Sequence, residues 1–349
     1  MTLVELLVAF AIFIMLLGAL VSLTTNSLAT WATGEARKEV YDRAQGVLET
    51  LARDLRNVYI ENDVYDDGAK QLQPPAFACD ADKERRQRLR FVRTGDPNVM
   101  RVPMQRAPTI VAPMYYGQQW EVAYVMDPDP SKNILWRGVR GYDRRSTGTL
   151  LRVAEYDQPS DPLFTSCFRP VETGVLHLEF RFWTQYTSTW DTDMKVQRVA
   201  ANSKQAVGPE TRWDSMRQDR SFYFYKKSNT PIADASNPDF VYPEIVQIVA
   251  VIESSTPDQH GIRLSTGCDD RATTIVLTHT DGLPDAPGMV KVEGEWLEYG
   301  GKTYTDLTGV KRGARGTAAQ AHPAMAPVHH GLTFTTDVRV ASYREAHQP

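Results

Sequence analysis

The chain has 349 residues, with 42% hydrophobic, 10% aromatic and 23% charged side chains. That is enough to bury a sizeable core, and it excludes wholesale disorder. The net charge of −4 argues against a general nucleic-acid binder, which would be basic.

The N-terminus carries the strongest signal. It reads MTLVELLVAFAIFIMLLGALVSL, and from Leu6 to Val21 every residue is apolar or glycine. With its flanks the run covers about 20 positions, long enough to cross a hydrocarbon core as a helix. A secretory signal peptide would begin with a basic region and end at a small-residue cleavage site. Here the first basic residue is Arg37, beyond the apolar run, and the run continues into a helical pattern. The segment therefore reads as a retained anchor.

Glu5 does not belong in such a run. A carboxylate among apolar residues costs several kcal/mol unless it finds a partner. The most economical partner is the free α-amino group of Met1 on a neighbouring copy or subunit. That pairing would neutralise both charges and fix the axial register of one helix against the next.

Farther on, Tyr41, Ala44, Leu48, Leu51, Leu55 and Val58 recur every three or four residues, one stripe of an amphipathic helix. Glu39–Arg43 and Glu49–Arg53 are (i, i+4) pairs in the favourable order. Asn62 and Asp67–Gly68 signal the end of the helix. The expected rod has a transmembrane half at 1–25 and an amphipathic half at 26–60. A helix over about 2–58 would be roughly 85 Å long.

After Gly68 the pattern turns to alternation. Strands are expected near Leu89–Val92, Trp120–Val125, Ile134–Arg140, Leu150–Val153, Val175–Trp183, Ser221–Tyr225 and Ile245–Ile252. Alternation points to antiparallel sheet with one covered face. The nearly all-apolar strand at Ile245 is expected to be central. The fold class is α+β, a long helix packed on an antiparallel head.

The opening Met1, Thr2, Leu3, Val4, Glu5, Leu6 resembles the mature N-terminus of the type IV pilin superfamily. The resemblance implies a short basic leader removed by a prepilin peptidase, with Met1 as the N-methylated first residue. It also implies that Glu5 guides docking through a neighbour's N-terminal amine. The series over 1–253 resembles the J-class minor pseudopilin of type II secretion, and W-type minor pilins share much of the layout. Its members are Asp54, Leu55 and Arg56; Leu89 to Arg93; Tyr124; Leu178, Phe180, Arg181, Phe182 and then Trp190; and Pro243 to Ile248. The implied partners are other minor subunits, the major subunit and an inner-membrane assembly platform. The implied location is the inner membrane, with a periplasmic head.

The chain departs from that pattern at about 264–331. This stretch holds strands of its own at Thr274–Thr278, Met289–Val292 and Glu295–Tyr299. We expect a small β module there, inserted in a head that otherwise spans 61–263 and ends with a strand and tail at 332–349.

His322, His329 and His330 lie close in sequence but lack the helical spacing of a metal pair, so a solvated loop is expected. Glu61, Asp63, Asp66 and Asp67 lack the spacing of a calcium loop. Lys83, Glu84, Arg85, Arg86, Arg88, Arg90 and Arg93 read as a solvated loop and strand face. Turn chemistry accounts for the glycines of Arg312–Gly316. One disulfide among Cys79, Cys167 and Cys268 is an option, with the pair undetermined. No catalytic motif or cofactor signature appears.

The expected role is a structural one. It is a minor pseudopilin or pilin at a filament tip, priming or capping assembly. The alternative is a tip adhesin or DNA-uptake pilin that binds a ligand through the module.

Overall fold

The computed structural model describes residues 3–60, 77–82, 84–95, 119–142, 150, 166–183, 213–214, 242–254 and 261–340. One helix, α1 (Leu3–Arg56), runs for 54 residues, about 80 Å. It contains no proline. Thr24, Thr25, Thr30 and Thr33 turn their hydroxyls back onto carbonyls three or four residues earlier. Those polar groups are thus satisfied within the helix. At the C-terminal end Arg53 and Arg56 lie in the last turn, and the Asn57 side-chain amide donates to the Arg53 carbonyl. Both features favour a helix stop here.

The two halves of α1 differ in what covers them. Large apolar side chains from Leu3 to Trp31 are exposed, Trp31 at 68%. Burial begins at Val40 and continues through Ala44, Val47, Leu51, Ala52, Leu55 and Val58. Ala44, Leu51, Leu55 and Val58 of the expected stripe are buried, while at its other two positions the neighbours Val40 and Val47 are covered instead. Tyr41 is exposed and sets its ring edge-on to Phe334, and Leu48 is only partly buried. The expected Glu39–Arg43 pair gives way to a tertiary one. Arg43 pairs with Glu172 at 3.2 Å and donates to the Thr173 carbonyl, tying the helix to the head.

The head strands are β1 (Ala78–Ala81), β2 (Gln87–Thr94), β3 (Gln119–Met126), β4 (Ile134–Gly141), β5 (Phe168–Thr173), β6 (Val175–Trp183), β7 (Trp213–Asp214) and β8 (Ile245–Glu253). The second β unit adds β9 (Thr274–Val276), β10 (Gly288–Val292), β11 (Glu295–Tyr299), β12 (Gly301–Lys302), β13 (Asp306–Thr308), β14 (Lys311–Ala314) and β15 (Val328–His329). The last strand is β16 (Gly331–Arg339). The predicted strand at Ser221–Tyr225 and most of that at Leu150–Val153 lie outside the described residues, as does Trp190.

Among the described residues the head has two antiparallel sheets, one in the order β5-β4-β3-β2-β1-β7 and one in the order β16-β8-β6. β8 is central in the second, as its uniform apolarity predicts. Both sheets share one core with the buried half of α1. Phe77 stacks on Phe91 and meets Phe182 edge-on. Gln87, buried on β2, exchanges hydrogen bonds with the Phe180 backbone on β6, its amide donating to the carbonyl at 3.2 Å and its oxygen accepting from the N–H. One side chain thereby stands in for a missing strand partner between the two sheets.

β16 pairs with β8 from Gly331↔Glu253 to Arg339↔Ile245, although 77 positions separate Glu253 and Gly331 at the nearer end. A side chain at Gly331 would collide with the Ile252 carbonyl. Between the two strands, residues 262–330 form two small sheets, β14-β11-β10-β15 and β12-β13-β9. These enclose a separate core around Leu264, Ile275, Val290, Val292, Leu297 and Leu307.

Among the described residues this unit meets the head through contacts of Trp296, Arg315 and Lys291. Trp296 packs with Leu176 and Val251. A β-bulge at Val175–His177 shifts the register of β6 beside Leu176. The His177 ring lies edge-on to Trp296 at 6.0 Å, and the Arg315 guanidinium sits over the indole at 5.0 Å. Lys291 reaches from β10 to the β3–β4 hairpin and donates to Asn133 Oδ1 at 2.5 Å and to the Pro130 carbonyl at 3.3 Å.

Candidate functional site

The exposed half of α1 is the first candidate. It is long and apolar enough to cross a membrane, and among the described residues nothing covers it. Uncovered apolar surface on this scale needs lipid or protein partners. Glu5 lies in the first turns of this helix, on the same exposed rod. Its side chain and Met1 lie outside the described residues.

The second candidate is a buried polar knot where the rod meets the head. Asp54 is fully buried. Its carboxylate accepts from Tyr124 Oη at 2.6 Å, from Arg137 Nε at 2.7 Å and from Arg93 Nη1. Tyr124 Oη also accepts from Arg137 Nε at 3.1 Å. Burial pushes the Tyr124 phenol well above its usual value, and the Asp54 charge adds to that. Three strands and the helix end are cross-linked by one carboxylate. The sequence reading singles out Asp54, Arg93 and Tyr124 separately, and the fold brings them together. Arg137 carries no sequence signal beyond its place in an alternating strand.

Arg85 in the loop is exposed, but the strand part of the basic cluster is not a solvated face. Arg88, Arg90 and Arg93 are buried. Arg88 and Arg90 both meet Asp80 on β1, at 3.1 and 2.8 Å, and Arg86 meets Asp82 at 2.8 Å. The correction has a simple cause. β1 pairs with β2 and sets Asp80 opposite Arg88, a neighbour that the short sequence ACDA does not announce. Lys83 lies outside the described residues.

The third candidate is a charge cluster inside the second unit. Glu295 is fully buried. It accepts from Arg312 Nη2 at 2.7 Å and from the Gly313 and Gln320 amides at 2.9 and 3.1 Å. His322 is clamped between carboxylates, with Nδ1 2.8 Å from Glu293 and Nε2 2.9 Å from Glu295. Glu293 adopts a left-handed backbone (φ 51°) at the β10–β11 turn. Burial alone would raise the Glu295 carboxyl, but the hydrogen bonds from Arg312, His322 and the two amides outweigh it and hold it at about 2. Burial alone would lower His322, and its two carboxylate partners reverse that and raise it above its usual value.

The histidines are therefore not one solvated group. His322 sits in this clamp, His329 meets Glu253 at 2.5 Å, and His330 is buried. No cluster of three or more metal-ligating side chains occurs among the described residues. The acidic group Glu61, Asp63, Asp66 and Asp67 lies outside them. Gly313 and Gly316 serve turns, with φ of 65° and 75°, while Arg312 beside them is a buried ion-pair partner. All three cysteines are free. Cys79, Cys167 and Cys268 pack with three different clusters, so the optional disulfide is not formed.

Together these features define a chain with a candidate N-terminal membrane anchor and a β-rich head. No protein-family model and no curated protein matches it.

Proposed function

We propose that the chain is a membrane-anchored, non-catalytic subunit of a type IV pilin-like filament, a large minor pseudopilin or minor pilin. One observation carries the reading. A single continuous rod offers an uncovered apolar half and, without a break, becomes the central element of a β head. Free energy of assembly then comes from packing apolar halves side by side, first in lipid and then in a filament core. Glu5 supplies register by seeking the amine of a neighbouring Met1. The pattern Met1 to Leu6 supports this assignment, as does the meeting of Asp54, Arg93 and Tyr124, which the family resemblance marks separately.

In this reading residues 264–331 are an insertion in the last hairpin of the head, β8 and β16. A head enlarged in this way fits poorly in a packed shaft, which favours the tip, with other minor subunits and the assembly platform as partners and the head in the periplasm. Acidic and basic residues are nearly balanced across the insertion, so nothing there favours capture of DNA.

The test is Glu5→Ala in the native host. The variant should be expressed and membrane-inserted at normal level, yet filament initiation and co-purification with neighbouring subunits should fall at least tenfold. Normal initiation by an inserted Glu5→Ala protein would overturn the proposal.

A further inference from the structure

We propose that Leu28 and Trp31 lie against the surface of the bilayer, so that α1 leaves the membrane tilted and carries the head on the side turned away from the lipid. This rests on the membrane-anchor half of the reading above. The head covers one side of α1, at Val40, Ala44, Val47 and Leu51. At about 100° per residue these four point the same way. Followed back along the same unbroken helix, Ser22, Asn26, Thr30 and Thr33 fall on that head side. Leu17, Leu20, Leu28 and Trp31 fall on the opposite side.

The two sides turn polar at different heights. On the head side polar groups begin at Ser22 and Asn26, and Thr30, Thr33 and Arg37 follow. On the opposite side the surface stays apolar as far as Trp31, with Leu28 64% and Trp31 68% exposed. Thr24 interrupts it, but its hydroxyl donates back to the Leu20 and Val21 carbonyls. Charge begins on that side only with Glu35 and Lys38, 4.0 Å apart. From Leu23, where the apolar run ends, to Trp31 the helix rises about 12 Å, while its own width is about 10 Å.

An upright helix meets the membrane surface at one height on all sides, and this boundary is oblique. Tilting the rod toward Leu28 and Trp31 brings them down to the headgroup level and lifts Asn26 and Thr33 into water. Lipid is the occupant because this apolar surface is continuous with the run that enters the bilayer. An indole, apolar in body with one N–H donor, also suits the headgroup boundary, and anchors of this kind set helix tilt. A partner rod laid along this side would meet Glu35, Lys38 and Asp42 in the next turns, all exposed and polar. A flat surface falling away from a tilted rod meets Leu28 and Trp31 and then loses contact.

Tryptophan fluorescence of the full chain in phosphatidylcholine vesicles tests this. Trp31 is read as the difference between the parent and Trp31→Phe, and Asn26→Trp and Phe13→Trp as differences from the parent. Acyl chains brominated just below the headgroup should quench Trp31 about twofold and leave the new indole of Asn26→Trp unquenched. Aqueous iodide should do the reverse, although position 26 is the nearer to the membrane core. Phe13→Trp should respond to the lipid quencher alone. If it escapes that quencher, the anchor itself fails and the tilt with it. If Phe13→Trp is quenched by lipid while iodide reaches Trp31 at least as well as Asn26→Trp, the anchor stands and the tilt is overturned. Trp31 shielded from both quenchers would place a second copy of the chain on this side and equally overturn the proposal.

Discussion

Asp54→Ala is expected to destabilise the head by about 3–5 kcal/mol. The loss exceeds that of a hydrogen-bonded surface acid because a buried cation, Arg93, and a half-buried one, Arg137, are left behind. Arg93 and Arg137 both direct nitrogen atoms at this carboxylate, and Tyr124 donates to it. Removing one partner of a buried pair strands the other, whereas replacing the whole set with apolar groups can be nearly neutral. The combination Asp54→Leu, Arg93→Met, Arg137→Met should therefore recover much of the loss. Thermal unfolding of the detergent-solubilised chain measures both. A single variant as stable as the parent would show that the knot contributes nothing net.

The second large effect is confined to the other core. Glu295→Ala should cost about 3–5 kcal/mol on the same grounds, because it leaves Arg312 buried and removes one jaw of the His322 clamp. Hydrogen exchange should show amides in 262–330 losing protection while α1 and the β2–β3–β4 ladder keep theirs. The clamp also predicts a pH optimum. Glu295 is depressed, so its stabilisation is present above its unfolded value near 4.5 and is lost as pH falls toward about 2. His322 is raised, so its stabilisation is complete below 6.5 and disappears as pH climbs through its folded value. The unit should be most resistant to unfolding at about pH 4.5–6.5, and His322→Gln should flatten the alkaline side of that profile. An optimum at pH 8 or above would count against the clamp.

Much of this architecture is legible in the sequence because it is periodic. The apolar run, the three-and-four spacing and the alternating strands each repeat over many residues, so Glu295–Tyr299 and Val175–Trp183 are found with their observed bounds. What escapes is decided by single long-range neighbours. Of the expected stripe on α1, Ala44, Leu51, Leu55 and Val58 are covered, but Tyr41 and Leu48 yield to their neighbours Val40 and Val47 where the helix meets the head. Arg88 and Arg90 look solvent-bound until β1 sets Asp80 beside them. Glu295 begins a strand, EWLEY, in which nothing marks it as the buried acid. The histidines attract attention as a group, yet their true partners, Glu253, Glu293 and Glu295, lie 27 to 76 positions away.

The knot at Asp54 has a consequence for any neighbour lying alongside the rod. Its contacts are directional, and Arg43 adds a fourth anchor three turns earlier. The head cannot roll around the helix axis without breaking them. Its azimuth is therefore locked to that of the bare N-terminal half, and whichever side of the stalk another molecule grips also dictates which flank of the head it will see.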